Sequence, residues 1–142
     1  MNEIIGLRGK GNSGKSTTIR ILYDLLLQND FNIIRTNFNN NGGDFSAIFS
    51  KKDIHIGITS AGDTYKIVHN RLQDLIRDEC NICVCACRTY DRIPPGTNDA
   101  IYEFSSYKNQ FINKTVDNNV LTQKSSNKND ANNIISIINS FL

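Results

Sequence analysis

The sequence predicts an α/β fold of three layers (α/β/α), with a mostly parallel central sheet between two layers of helices. Three observations predict it. Short apolar runs with strand character alternate along the chain with longer runs whose apolar residues recur every three or four positions. A glycine-rich segment, residues 9–14, separates the first strand from the first helix. And 142 residues, 39% of them hydrophobic, suffice for one well-cored domain, residues 1–142, without room for a large second one.

In chain order, Ile4, Ile5 and Leu7 form a buried strand that ends near Arg8. Ile19, Leu22, Leu25 and Leu26 then keep helical spacing, widened by Ile21 and Leu27, until Asn29 and Asp30 break the pattern. Residues 31–35 read as a second strand, and the Asn- and Gly-rich residues 37–43 as a loop too polar to pack. Phe45, Ala47 and Phe49 alternate, as do Ile54, Ile56 and Ile58, so residues 44–58 form a hairpin across the polar residues 50–53. A helix follows over residues 63–78, with Asp63 or Thr64 as its N-cap. Residues 81–87 read as a buried strand. After the rigid Pro94-Pro95-Gly96 break, Thr97 or Asn98 caps a helix that continues through Ile101, Phe104 and Tyr107. Residues 111–116 form a weak last strand, and residues 117–133, rich in Asn, Ser and Lys, read as a mobile loop. Ile134, Ile135, Ile137, Ile138, Phe141 and Leu142 close the chain as a helix.

The segment Gly9-Lys10-Gly11-Asn12-Ser13-Gly14-Lys15-Ser16 fits the phosphate-loop pattern G-x-x-x-x-G-K-[ST] at each fixed position. Glycines let the backbone curl until several N–H groups point inward, and the following helix adds the partial positive charge of its N-terminus. In that setting Lys15 reaches the β and γ phosphates of a nucleotide, Ser16 ligates Mg²⁺, and Thr17 stands in the first helical turn. Ligands of parallel sheets bind at the carboxyl ends of strands. That rule places the glycine loop, residues 36–44, residues 59–63 and residues 88–92 on one rim, where they are expected to converge on one phosphate.

The bulk composition is undemanding. A net charge of +2 does not call for nucleic acid or an acidic membrane as a partner. The first residues lack a basic segment followed by an apolar stretch, and no apolar run approaches membrane-spanning length, so a cytoplasmic protein is expected. Cys80, Cys83, Cys85 and Cys87 lack a distant second pair for zinc; on a strand the last three share one face, and they are read as reduced core residues. His55 and His69 read as surface residues with no partner nearby.

By these residues the chain resembles the P-loop containing nucleoside triphosphatases, which implies the P-loop NTPase fold, a bound ATP or GTP with Mg²⁺, and hydrolysis or phosphotransfer. Three subfamily resemblances stand side by side. Lys10 ahead of Gly11-Asn12-Ser13-Gly14-Lys15-Ser16-Thr17 is similar to the deviant loop of the nitrogenase iron protein and the partitioning ATPases, which implies a nucleotide-dependent homodimer; as a plain residue Lys10 is a solvated loop lysine. Residues 58–63 resemble the second switch of small GTPases, with Gly62 matching, Thr59 in place of its aspartate and Asp63 in place of its glutamine. Residues 113–117 resemble the guanine-reading N-K-x-D with one residue too many, so ATP is favoured over GTP. Small nucleoside and nucleotide kinases supply the third resemblance, in which Arg88 and Arg92 grip phosphates; their plain reading is a charged surface turn. Asp63 is the candidate for Mg²⁺ support, and equally a simple helix cap. A nucleotide sensor without turnover is the non-enzyme alternative.

Overall fold

A computed structural model describes residues 2–38 and 44–142. Ten elements follow in order: β1 (Glu3–Arg8), α1 (Lys15–Gln28), β2 (Asn32–Asn37), β3 (Ser46–Lys51), β4 (Ile54–Thr59), α2 (Tyr65–Arg77), β5 (Ile82–Cys87), α3 (Thr97–Tyr102), β6 (Lys108–Asn113) and α4 (Val120–Ser140). The six strands form one mixed, mostly parallel sheet in the order β2-β3-β4-β5-β1-β6. β1 is parallel to both neighbours, with Gly6 opposite Cys85 on one side and Phe111 on the other. β4 is parallel to β5, whereas the β3–β4 hairpin and the β2–β3 pair are antiparallel.

Strand alternation divides the core in two. Ile5 and Leu7 of β1 and Ile82, Val84 and Ala86 of β5 pack with Ile19, Leu22 and Leu26 of α1 and Ile134 and Ile138 of α4. Ile4 and the three β5 cysteines instead meet Val68, Leu72 and Leu75 of α2 and Ile101 of α3. The cysteines are therefore free thiols serving as small core residues, as the strand pattern predicts. Burial pushes the Cys80 thiol up to about 12 and that of Cys87 to about 11.

Local chemistry explains the element boundaries. Thr64 caps α2 by accepting from the Ile67 amide. Asn119 caps α4 by accepting from Leu121 and Thr122. The expected loop at residues 117–133 is corrected by this helix: Ser126, Asn127 and Asp130 are buried polar residues on it, and their hydrogen bonds supply what apolar spacing does not. α3 is shorter than predicted, ending at Tyr102; Tyr107 lies beyond it, buried, with its hydroxyl donating to the Cys80 carbonyl at 2.6 Å. β6 begins three residues earlier than the expected strand at 111. Most of the expected loop at residues 37–43 lies outside the described residues. Among the described residues no helix is long and apolar enough to cross a membrane.

Candidate functional site

The glycine loop leaves β1, which lies between β5 and the edge strand β6. Gly9 donates to the Cys87 carbonyl at 3.1 Å, which ties the start of the loop to the end of β5. A Cβ at Gly9 would stand 2.7 Å from Ser13 Oγ and 2.9 Å from Lys114 Cβ, so the curl admits only glycine there. Ser13 Oγ closes the loop on itself by donating to the Lys10 carbonyl at 2.7 Å. Asn12 holds φ at 58°, a left-handed conformation that Asn tolerates better than most residues. Gly14, at φ 92°, is the N-cap of α1 and offers no side chain to it, so among the described residues no side chain caps the first-turn amides.

Lys15 is buried, and its Nζ donates to the carbonyls of Gly9 at 2.5 Å and Cys87 at 3.0 Å. An ammonium has three donors, so one remains for a ligand. Burial and, next, the Arg88 guanidinium lower the Lys15 pKa from its ordinary 10.5. Ser16, Thr17 and Lys10 are exposed at the mouth of the loop.

β5 lies next to β1, and this adjacency delivers Arg88. Its Nη1 is 2.9 Å from where a Cβ of Gly11 would stand, so the guanidinium rests on the glycine backbone. Its Nη2 is 3.3 Å from Asp63 Oδ1. Asp63 reaches this point because Gly62 packs hard on the end of β5: a Cβ there would come within 2.5 Å of Ala86 Cβ and 2.8 Å of its backbone carbonyl carbon. Arg92 is exposed and lines a cavity of about 440 Å³ beside Asp63 and Arg88.

The structure brings together the loop, Gly62, Asp63 and Arg88, and sets Arg92 on the adjoining cavity wall. The expectation that residues 36–44 join them is corrected in part. β2 is the edge strand, four places from β1, and at about 4.8 Å per strand its end lies roughly 19 Å away. Residues 39–43 fall outside the described residues. Asp44 does return to the rim, accepting from Ser60 Oγ at 3.2 Å, with burial raising its pKa.

Three site residues carry no motif of their own. Thr97 Oγ1 accepts from the Arg88 amide at 2.8 Å, and Asn98 Nδ2 donates to the Arg88 carbonyl at 2.9 Å. Asp91 in turn accepts from Thr97 Oγ1, the Asn98 amide and Asn98 Nδ2. Together they fix the backbone from which Arg88 projects. The polar residues around Pro94-Pro95-Gly96 carry the readable signal; Gly96 is the N-cap of α3, which frees Thr97 and Asn98 from the expected capping role to hold the Arg88 backbone.

On the other side of β1, Lys114 is fully buried and paired with Asp130 at 2.8 Å. Asp117 accepts from Ser126 Oγ. Of the residues that resemble N-K-x-D, Lys114, Thr115 and Asp117 are thus engaged with α4. His69 is corrected as well: it stacks between Tyr65 and Phe104 and places Nε2 3.4 Å from Glu103. Comparisons with protein families, with curated proteins and with solved structures found no match.

An ion such as Mg²⁺ takes hard oxygen ligands, few of them from protein, beside substrate phosphates. Among the described residues no three His, Cys, Asp or Glu side chains gather as a cage. The exposed Ser16 hydroxyl and the 70%-exposed Asp63 carboxylate give an oxygen donor set that fits such an ion.

Proposed function

We propose that the chain binds a nucleoside triphosphate in the loop between β1 and α1, together with Mg²⁺, and cleaves its terminal phosphate. The observation that carries this reading is Lys15: a buried ammonium, held by two carbonyls at the mouth of a glycine loop, with one donor left and an uncapped helix N-terminus beside it. A core on both sides of the sheet agrees with the three-layer phosphate-loop nucleoside triphosphatase arrangement. Lys15 and the loop amides hold the β and γ phosphates, offsetting charge where it gathers in phosphoryl transfer. Arg88, braced by Thr97, Asn98 and Asp91, meets the terminal phosphate from the β5 side. Ser16, and Asp63 through water, would hold the Mg²⁺, which would supply charge to offset that of the phosphates. ATP is preferred to GTP, because Lys114 and Asp117 are taken up by α4 rather than free to read guanine.

Calorimetric titration with Mg–ATP tests the reading. Lys15→Ala should weaken binding on the order of a hundredfold, since charge-assisted bonds to phosphate are lost. A variant that binds as wild type does would contradict it. The exposed position of Lys10 favours one addition, reach into a second copy's nucleotide. Light scattering should then show dimers with ATP that Lys10→Ala abolishes, and a monomer under both conditions removes the idea.

A further inference from the structure

We propose that the cavity between Asp63, Arg88, Tyr90 and Arg92 is a second-substrate site for a phosphate monoester, to which the chain transfers the terminal phosphate of its nucleotide. This rests on the nucleotide reading above and adds the acceptor to it.

The cavity measures about 440 Å³, within the range of small-molecule sites. It shares a wall with the glycine loop through one side chain. Arg88 lies on Gly11 with one nitrogen and faces Asp63, a cavity residue, with another. An anion gripped by Arg88 from the cavity is therefore the neighbour of whatever the loop holds. Arg92, on the same cavity, is exposed and makes no ion pair among the described residues. Two guanidinium groups on one small cavity suit a phosphate, which they bind by paired N–H donors. Tyr90 and Ile93, 87% and 80% exposed, supply aromatic and aliphatic surface for the organic remainder.

The carboxylates decide which oxygen reacts. Asp63 is engaged with Arg88, and Asp91 accepts three hydrogen bonds from Thr97 and Asn98. With Asp63 turned to Arg88 and, in the nucleotide reading, to the water around Mg²⁺, and with Asp91 turned to the start of α3, neither carboxylate is assigned to an acceptor hydroxyl. A phosphate monoester is largely dianionic at neutral pH, so its oxygen needs no base. That oxygen bonds to the γ phosphorus as the bond from this phosphorus to the β–γ bridging oxygen breaks. The electron pair leaves with the nucleoside diphosphate, no proton moves, and the product is an anhydride of the acceptor. A larger cavity, about 770 Å³ beside Arg35 and Arg71, is the weaker candidate: these arginines are paired with Asp78 and Asp74, and none of the glycine-loop residues lines it.

The test is transfer of label from γ-³²P-ATP with Mg²⁺ to a fixed panel: AMP, dTMP, glucose 6-phosphate and glycerol 3-phosphate, each beside its unphosphorylated parent. Label should appear as an anhydride on one or more of the monoesters and on none of the parents. Arg92→Ala should raise KM for that acceptor on the order of tenfold, well beyond its effect on KM for ATP, with partial recovery in Arg92→Lys. Label on a parent hydroxyl, or release as inorganic phosphate at a rate no panel member changes, overturns the acceptor site while leaving nucleotide binding intact. Absence of ATP binding to the wild-type protein overturns both readings, and calorimetry separates that case from the others.

Discussion

Lys15 shows how one residue can be costly to the fold and useful to the site. Its ammonium is held under the loop by two carbonyls, yet burial and the nearby Arg88 charge lower its pKa below 10.5. A lysine so shifted binds its proton more tightly in the unfolded chain, so its contribution to stability improves as pH rises from the folded pKa toward 10.5. Nucleotide binding runs the other way. Phosphate needs the charged form, so affinity is complete below the folded pKa of Lys15 and falls as pH rises through it. Mg–ATP titrations from neutral to alkaline pH should show affinity declining before an ordinary lysine would titrate, with Lys15→Arg, always charged, holding its affinity over the same range. A wild-type profile as flat as that of the variant would show that Lys15 does not carry the binding.

At the scale of elements, α4 marks where sequence patterns stop being informative. Its second half announces itself through Ile134, Ile135 and Ile138, which pack on α1. Its first half is held by groups that look like loop composition: Asn119 caps it, Gln123 donates to Thr115 and Asn127, and Asp130 receives Lys114 Nζ, the Thr115 amide and Thr115 Oγ1. Partners of Asp130 that lie 15 or 16 residues away leave no periodic trace, and the shorter polar contacts carry no apolar signal, so this helix half was legible only in three dimensions. β5 is the opposite case, since Cys83, Cys85 and Cys87 alternate with Ile82, Val84 and Ala86 and each set enters its own core. The site divides likewise. The loop residues are contiguous and were readable, whereas Thr97 and Asn98 act on Arg88 only because α3 starts beside the end of β5. Lys114, with no exposed side-chain surface, is paired with Asp130 at 2.8 Å. Asp130→Ala should therefore cost about 3–5 kcal/mol in urea unfolding. Replacing both partners with apolar residues, Lys114→Met with Asp130→Leu, should recover most of it, and a double variant no better than the single one would argue against the ion pair as the cause.

At the scale of the whole molecule, strand order decides what meets the loop. β1 lies between β5 and the edge strand β6, so the loop opens toward that end of the rim, with Arg88 arriving from one neighbour and Lys114 packed below Gly9 from the other. The β2–β3 pair extends the sheet at the opposite end, away from the loop. Because the loop draws on β1, α1, β5 and the turn after β4, it exists as a unit only in the folded chain, and a ligand that binds it stabilises the folded state alone. Nucleotide at a hundred times its Kd should then add about 2.7 kcal/mol. For a domain of this size that is a rise in Tm on the order of 5–10 °C with Mg–ATP. Lys15→Ala separates site from scaffold: its Tm without nucleotide should stay within about 3 °C of wild type, since the lost bonds to two carbonyls are offset by relief of a buried charge. The shift with Mg–ATP should vanish in the same variant. If it persists at the wild-type size, the nucleotide is held elsewhere on the molecule and the loop is a glycine turn without that role.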